Sequence, residues 1–168
     1  MKLWHKSMRE DQPFLYYTLQ YNRFKKIKPG YPYQLTNGIP IRNELELKVG
    51  NFLLLHYSSL QYEPYLSVNS RVYFPDFKLN NLIIEVTSWR HPSLSRIARL
   101  KTKFLDYQNK GFTPFLFVPQ NCRKFYKEFE SFIISDLEEL RNALVAQSER
   151  EQPVERMRFT EDCETVTS

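Results

Sequence analysis

Glycine is scarce in this sequence, with only 4 in 168 residues. No segment contains the closely spaced glycines that allow a backbone loop to wrap around a phosphate group. The Walker and Rossmann signatures are therefore absent, and the sequence does not predict a nucleotide-binding fold of either kind.

Cysteine, histidine and long apolar runs are also in short supply. Two cysteines, Cys122 and Cys163, are too few for a disulfide framework or a zinc set, and the three histidines lack the spacing of metal ligands. No apolar run approaches the ~20 residues that span a bilayer. The first residues lack the apolar stretch of a signal peptide, so we expect a cytoplasmic protein.

Charge is plentiful and unevenly distributed. Residues 147–168 contain 3 basic and 6 acidic side chains, whereas residues 1–146 contain 21 basic and 13 acidic ones. A basic body with an acidic tail favours a polyanionic partner such as nucleic acid. The alternative is a protein with a chance excess of lysine and no such partner.

The composition divides the chain into three parts. Residues 1–41 form a basic, aromatic extension whose lysines, among them Lys25 and Lys26, could follow a nucleic-acid backbone. An ordinary packed extension is the alternative. Residues 42–149 form the predicted folded domain. Residues 150–168 are acidic and poor in apolar side chains, so we expect a disordered tail.

The folded domain alternates between helical and extended patterns. Residues 43–60 predict a helix with Asn43 as its N-cap. Extended segments follow, with turns near Asn69 and Asn80, and the second turn suggests a hairpin. A second helix is predicted over residues 94–110 with Gly111 at its end, then a buried strand over 112–119 and a long helix over 122–147.

Two carboxylates interrupt the extended segments. Asp76 lies in an aromatic-rich run, and Glu85 follows three apolar residues. If the two runs pair as a hairpin, Asp76 and Glu85 lie close together on one face of adjacent strands. Two unpaired carboxylates so placed repel each other, and a divalent cation such as Mg²⁺ or Mn²⁺ would remove the repulsion. The alternative is a strand-edge pair neutralised by lysine or arginine.

These segments resemble the PD-(D/E)XK nuclease superfamily. The resemblance covers roughly residues 42–119 and rests on the segments ELKVGNFL, YFPDF and LIIEVTSW and on the helix and strand that follow. It implies an α/β fold with a restriction-endonuclease-like core. In that core a central mixed sheet of about four strands is flanked by helices in the order α-β-β-β-α-β, and here a C-terminal helix is added.

The resemblance also implies a metal site. Glu46, Asp76 and Glu85 would hold Mg²⁺, for which Mn²⁺ could substitute, and the backbone carbonyl of Val86 could be a further ligand. Glu44 competes with Glu46 for the position on the helix. We prefer Glu46, because apolar residues follow it three and seven positions later and place it on the face turned toward the sheet.

The sequence departs from the superfamily at the motif lysine. The motif expects lysine two residues after the strand glutamate, where this chain has Thr87. Lys101 could replace it, because it lies near the centre of a predicted apolar stripe on the second helix and would need an acidic partner there. That stripe comprises Leu94, Ile97, Ala98, Phe104 and Leu105. Lys78, on the strand face of Asp76, is the second candidate. The alternative for Lys101 is exposure at the rim.

The second helix and the loop before it are basic, and we expect Arg90, Arg96, Arg99 and Lys103 to contact phosphates. The resulting prediction is a metal-dependent endonuclease that hydrolyses phosphodiester bonds, with DNA preferred over RNA by analogy with the superfamily. One alternative is a catalytically weak or inactive module that binds nucleic acid. Another is a subunit of a recombination, transposition or repair complex, acting as a homodimer or with a partner subunit. No membrane contact is expected.

Overall fold

The computed structural model describes residues 7–8, 10–13, 15–17, 19, 31–69 and 71–151. The predictions for Lys25 and Lys26 and for the tail beyond residue 151 lie outside these residues. Among the described residues, no helix combines the length and the apolar character needed to cross a bilayer.

The chain from residue 31 to residue 151 folds into helices, short strands and 3₁₀ segments. The helices are α1 (Glu44–His56), α2 (Leu94–Asn109) and α3 (Leu137–Glu151). The strands are β1 (Tyr33–Gln34), β2 (Pro40–Ile41), β3 (Gln61–Tyr62), β4 (Leu66–Val68), β5 (Arg71–Tyr73), β6 (Phe77–Leu79), β7 (Leu82–Val86), β8 (Thr113–Phe117) and β9 (Ile133–Ile134). The 3₁₀ segments are Arg123–Phe125 and Lys127–Phe132.

Five of the strands form one mixed sheet in the order β3-β6-β7-β8-β9. β6 pairs antiparallel with β3 and β7, whereas β8 pairs parallel with β7 and β9. The fold is therefore α/β, as predicted, and the apolar strand β8 lies between two parallel neighbours. The sheet has one strand more than the predicted four, because Ile133 and Ile134 pair with the end of β8.

Helix α1 begins where the sequence predicts. The side chain of Asn43 accepts a hydrogen bond from the backbone N–H of Glu46 at 2.9 Å, which satisfies a donor that the first turn would leave unpaired. Val49 and Leu53 are fully buried on the inner face of the helix and pack in one core with Ile41 of β2. Ile41, just before the helix, therefore packs against its inner face.

Both predicted turns are present. Asn69 and Asn80 each have a φ angle of 49°, a left-handed conformation that asparagine tolerates better than most residues. Asn69 follows β4 in the turn that leads to β5, and Asn80 lies in the turn between β6 and β7. The predicted β6–β7 hairpin is therefore confirmed.

The inward face of helix α2 coincides only in part with the predicted one. Leu94 and Leu105 are 85% and 57% exposed, whereas Ile97, Phe104 and Tyr107 are buried. The predicted stripe is therefore right for Ile97 and Phe104 and wrong for Leu94, Ala98 and Leu105. The physical reason is that aromatic rings of the second 3₁₀ segment pack on Phe104, which draws the line of residues from Ile97 to Tyr107 into the core.

Asp106 joins α2 to the β4–β5 hairpin. This buried carboxylate accepts hydrogen bonds at 2.5–3.1 Å from three side chains of the hairpin, the Tyr73 hydroxyl, the Arg71 guanidinium and the Asn69 amide. The hydrogen bonds from Tyr73 and its neighbours hold the pKa of Asp106 below its ordinary value. Asp106 is thus a structural carboxylate with its own set of donors.

The single long helix predicted over residues 122–147 is wrong. The chain there forms the two 3₁₀ segments, strand β9 and only then helix α3. Asp136 starts α3, since its Oδ1 accepts hydrogen bonds from the N–H groups of Glu138 and Glu139 at 2.9 and 2.8 Å. Ile133 and Ile134 extend the sheet instead, because β-branched side chains pack well on a pleated surface.

The core occupies both faces of the sheet. Phe77 and Ile84 pack in the cluster that includes residues of α1 and α3. Leu116 of β8 packs on the opposite face, in the cluster that includes α2. Ile83 contacts the same helix, and Glu85 lies two residues further along β7. Because side chains alternate along a strand, Glu85 is on the α2 face of the sheet.

Candidate active site

Asp76 and Glu85 meet at one end of the β6–β7 hairpin. The register pairs Phe77 with Ile84, so its continuation by one residue sets Asp76 opposite Glu85. The N–H of Val86 donates a hydrogen bond to Asp76 Oδ2 at 2.7 Å. Asp76 is half-buried and Glu85 is buried. The two carboxylates therefore lie side by side, as the hairpin predicts.

The surroundings of Asp76 disfavour its charged form. Burial raises the pKa of Asp76 well above its ordinary value, and the negative charges of Glu85 and Glu46 raise it further. The positive charge of Lys103 and the N–H of Val86 act in the opposite direction without cancelling this rise. Three carboxylates are thus close enough for two of them to affect the ionisation of the third.

Glu85 is neutralised from helix α2. Its Oε1 atom forms an ion pair with Lys103 Nζ at 2.6 Å and accepts a hydrogen bond from the Tyr107 hydroxyl at 2.9 Å. Burial and the charge of Glu85 raise the pKa of Tyr107, so the phenol stays protonated as a donor. The two partners lie one helical turn apart and reach the same oxygen.

Glu46 comes to the site from helix α1. Its Oε1 accepts a hydrogen bond from Asn43 Nδ2 at 2.5 Å, and its Oε2 accepts one from the Tyr62 hydroxyl at 2.6 Å. Burial raises the pKa of Glu46, and the hydrogen bond from Tyr62 offsets part of the rise. Glu46 is only 4% exposed, whereas Glu44 is exposed. Glu46 therefore lies on the inward face of the helix, as predicted, and Glu44 does not.

The three carboxylates offer the oxygen donors that Mg²⁺ and Mn²⁺ prefer, but they do not converge on one point. Glu46 is turned toward Tyr62, and Glu85 is turned toward Lys103. Across the part of the chain that the structure describes, no group of three or more His, Cys, Asp and Glu side chains is arranged to hold a metal ion. Joint binding of a cation by the predicted set would require Glu46 to turn from its present partners, because both of its oxygens accept hydrogen bonds.

Among the residues that the structure describes, Lys103 is the lysine that contacts the carboxylates, and neither Lys101 nor Lys78 meets them as predicted. Lys101 Nζ forms an ion pair with Glu128 in the second 3₁₀ segment. Lys78 Nζ lies 5.8 Å from the centroid of the Phe112 ring. The predictions for Lys101 and Lys78 are therefore wrong. For Lys101 the reason is the rotation of helix α2, which buries Ile97, Phe104 and Tyr107. With the line from residue 97 to residue 107 turned inward, position 103 approaches the sheet and position 101 turns away from it.

Thr87, at the position of the missing lysine, belongs to a different network. Its hydroxyl lies 3.2 Å from the hydroxyl of Tyr126, and that hydroxyl donates to the backbone oxygen of Trp89 at 3.1 Å. These contacts tie the loop after β7 to the region of the 3₁₀ segments. The loop therefore has a fixed backbone next to the carboxylates.

A basic cleft of about 700 Å³ opens between β7 and α2. Arg96, Arg99 and Lys103 line it, as does Trp89, and the guanidinium of Arg96 lies over the Trp89 ring. These three basic residues were among those predicted to contact phosphates. The fourth, Arg90, is exposed on the loop before α2.

A smaller cleft of about 290 Å³ contains the other two carboxylates, Glu46 and Asp76. It shares Val86, Thr87 and Trp89 with the larger cleft. The two clefts therefore adjoin along one short segment. The candidate ligands lie at this junction, because Glu85 lines the larger cleft.

Sequence reasoning missed the partners of the two glutamates. Lys103 and Tyr107 could have been found together, because their spacing of four residues places them on one helical face. Tyr62 gave no such signal, since it is separated from Glu46 by 16 positions along the chain. Its role depends on how β3 packs against α1.

Comparison of the chain with protein-family models, with curated proteins and with solved structures found no match. The site therefore has to be interpreted from its own residues.

Proposed function

We propose that this protein is a divalent-cation-dependent nuclease that hydrolyses phosphodiester bonds in DNA, built on a restriction-endonuclease-like core. The observation that carries the proposal is the grouping of Asp76, Glu85 and Glu46 beside a basic cleft. Burial and the two neighbouring charges raise the pKa of Asp76. Such a grouping is unfavourable on its own and becomes favourable when a cation binds within it.

The donor atoms fit a hard cation. Asp76 uses Oδ2 for the Val86 N–H, and Glu85 uses Oε1 for its two partners on α2. The second oxygen of each, Asp76 Oδ1 and Glu85 Oε2, has no hydrogen-bond donor among the residues that the structure describes. These two oxygens and Glu46 would hold Mg²⁺ or Mn²⁺. A cation there would polarise the scissile phosphate and lower the pKa of an attacking water.

The other roles fall to side chains of α2. Lys103, which is paired with Glu85, would meet negative charge that develops on a phosphate next to the carboxylates. This is the role that the motif lysine would have, and Thr87 cannot supply a positive charge. Arg96 and Arg99 line the cleft and would hold neighbouring phosphates. Such contacts give affinity but little sequence information.

The order of the elements supports the proposed core. Helix α1, strand β3, the β6–β7 hairpin, helix α2 and the parallel strand β8 follow in this order along the chain, which matches the α-β-β-β-α-β order that the PD-(D/E)XK resemblance implies. The β4–β5 hairpin and β9 are additions to that order. The preference for DNA over RNA rests on analogy with the superfamily.

A second candidate function is a nuclease-fold module that binds nucleic acid without cutting it. The pairing of Glu85 with Lys103 and of Glu46 with Tyr62 favours this candidate, because both carboxylates already have donors in the absence of a cation. Thr87 also favours this candidate, because it replaces the motif lysine and has no positive charge. Such a module could serve as a subunit of a recombination, transposition or repair complex and become active only with its partner.

Cleavage of supercoiled plasmid in Mg²⁺ or Mn²⁺, compared with EDTA, tests the proposal. We expect metal-dependent nicking by the wild type and a loss of at least about 100-fold in Asp76→Asn and in Glu85→Gln. Glu46→Gln should also be impaired. Glu44→Gln is the matched control, because it removes an exposed charge from the same end of α1 and should leave the rate unchanged.

Two results would count against the nuclease. Cutting by Asp76→Asn at the wild-type rate would mean that the activity comes from another site. A wild-type protein that binds DNA but does not cut it with either metal would favour the binding module, and activity that appears only in a mixture with a partner would favour the subunit.

A further inference from the structure

The basic cleft is concave and partly apolar, and contacts to phosphates alone would require neither property. Phosphates lie on the outside of a duplex and are met by side chains on an open surface. This cleft is concave, and Ile97, Leu100 and Leu116 contribute apolar walls to it. Trp89, also in its lining, is 48% exposed. An apolar concavity beside basic groups is suited to a ligand that has both a flat apolar part and a negative charge.

Trp89 and Arg96 form a layered platform in this cleft. The guanidinium of Arg96 lies over the ring of Trp89. The backbone oxygen of Trp89 accepts a hydrogen bond from the Tyr126 hydroxyl at 3.1 Å, which holds the platform in place. Unpaired bases stack on aromatic rings and on planar guanidinium groups. The platform therefore offers two flat surfaces of the kind that receive a base.

Charge favours a nucleotide over a neutral aromatic ligand. Arg96, Arg99 and Lys103 all line the cleft. Lys103 is paired with Glu85, so the positive charge available to a phosphate comes chiefly from the two arginines. A base in a duplex stays stacked and paired and would have to be extruded to reach the cleft, whereas a base in a single strand enters at a lower energetic cost.

We propose that the cleft holds an unpaired nucleotide, so that the preferred substrate is DNA with a single-stranded segment rather than continuous duplex. This inference rests on the proposed function, because it names the substrate class of the same site. Val86 and Thr87 line both clefts. A base bound on the platform would therefore place its neighbouring phosphate next to the carboxylates.

Fluorescence anisotropy measures the binding of labelled oligonucleotides. In EDTA no metal-dependent cleavage occurs, so this measurement tests the inference through binding alone. The probes are a labelled oligodeoxynucleotide, its blunt duplex and the RNA of the same sequence, all at one fixed salt concentration because phosphate contacts depend strongly on salt. We expect the wild type to bind the single-stranded DNA at least about 10-fold more tightly than the duplex. Single-stranded RNA bound more tightly than the DNA would overturn the assignment of the polymer.

Substitutions at the platform identify its contribution. Trp89→Ala should weaken binding of the single strand by about 5- to 150-fold, the range for loss of one stacked base, and should affect the duplex much less. Trp89→Phe keeps a ring and should retain most of the affinity. Arg96→Ala is matched by Arg141→Ala, which removes an exposed arginine of α3 that is paired with Glu138. Only Arg96→Ala should reduce the preference for the single strand.

Equal affinity of the wild type for single strand and duplex would overturn the inference, as would an equal loss for both in Trp89→Ala. A protein that binds single strands through Trp89 but never cuts would support the inference and refute the nuclease. A protein that cuts duplex and single-stranded DNA alike, with no effect of Trp89, would support the nuclease and refute the inference. Thermal unfolding of Trp89→Ala checks that the variant is folded, which we expect because the side chain is half exposed.

Discussion

Replacement of Asp76 by asparagine should make the protein more stable at neutral pH, although it removes a residue that we place at the centre of the active site. Burial and the charges of Glu85 and Glu46 disfavour the ionised form of Asp76, which is why the pKa of Asp76 is raised. Asparagine keeps an oxygen that can accept the hydrogen bond from the Val86 N–H, 2.7 Å long in the wild type. It brings no charge that must be desolvated.

The gain in stability should depend on pH in a defined direction. An aspartate in the unfolded chain titrates near pH ~3.9, and Asp76 in the folded protein titrates at a higher pH. The wild type therefore loses stability as the pH rises from about 3.9 through the folded pKa. Above the folded pKa, Asp76→Asn should recover about 1.4 kcal/mol for each unit by which the folded pKa exceeds the unfolded one. Below pH ~3.9 the gain from removing the charge should vanish.

Glu85→Gln is the matched change on the neighbouring strand, and it should lower the stability of the protein where Asp76→Asn raises it. Lys103 is paired with Glu85 at 2.6 Å, and the lysine side chain is only 20% exposed. Removal of the carboxylate charge leaves a largely buried ammonium group without its counter-ion. We expect the free energy of unfolding to fall by about 1–3 kcal/mol.

Urea denaturation in EDTA, at pH values between about 4 and 8, measures both variants on one scale. A loss of stability in Asp76→Asn near pH 8 would show that the carboxylate is not in an unfavourable environment. A gain that does not shrink toward pH 4 would mean that it arises from packing and not from charge. Either result would refute the electrostatic reasoning on which the proposed metal site depends.

Further predictions concern the binding of Mg²⁺, the role of Lys103, and the hydrogen bonds of Asp106 to the β4–β5 hairpin. Mg²⁺ at ~100 times its dissociation constant should stabilise the wild type by about 2.7 kcal/mol and should leave the melting temperature of Asp76→Asn unchanged. Lys103→Ala should slow plasmid cleavage at least about 100-fold, with a smaller effect on DNA affinity. Lys101→Ala, on the same helix but paired elsewhere, should cut normally, and an equal effect of the two would remove Lys103 from the site. Thr87→Lys should restore part of the rate in Lys103→Ala. Asp106→Asn should lower the urea midpoint at about pH 7, and this loss should shrink as the pH falls below about 3.9, because the hydrogen bonds that hold the pKa of Asp106 low give stability that is lost as the pH falls through that pKa.

The features that depend on local chemistry could be predicted from the sequence. Asn43 caps α1 through a hydrogen bond to a residue three positions away, and Asn80 adopts the positive φ that its turn requires. Both signals lie within a few residues of the structure that they determine. The hairpin that follows from the second of them brings Asp76 and Glu85 together, so this pair could also be predicted.

The features that depend on distant contacts could not be predicted. Helix α2 has more apolar residues than one face can bury, and Leu94 and Leu105 remain exposed. The choice among its faces is made by aromatic rings of the second 3₁₀ segment, which pack on Phe104. Ile133 and Ile134 fit a helical pattern equally well, but pairing with β8 places them in the sheet. In both cases tertiary packing outweighs the local periodicity.

The error in the candidate site has the same origin. A lysine can be assigned to Glu85 only when the rotation of α2 about its axis is known, because positions 101 and 103 point in different directions from the helix. Lys103 reaches Glu85 across 18 positions of sequence, and the Tyr107 hydroxyl reaches it across 22. No pattern in β7 alone indicates either contact.

The location of the positive charge follows from how α2 lies on the sheet. A lysine at position 87 would share the strand face of Glu85, because residues two apart on a strand point the same way. Helix α2 covers that same face, so a lysine on its inner side can reach the same carboxylate from above, as Lys103 does at 2.6 Å. The chemistry of phosphoryl transfer requires a cation near the reacting phosphate and does not require that it come from a particular strand position. Thr87 is therefore compatible with catalysis as long as the packing of Ile97 and Phe104 holds α2 in this rotation.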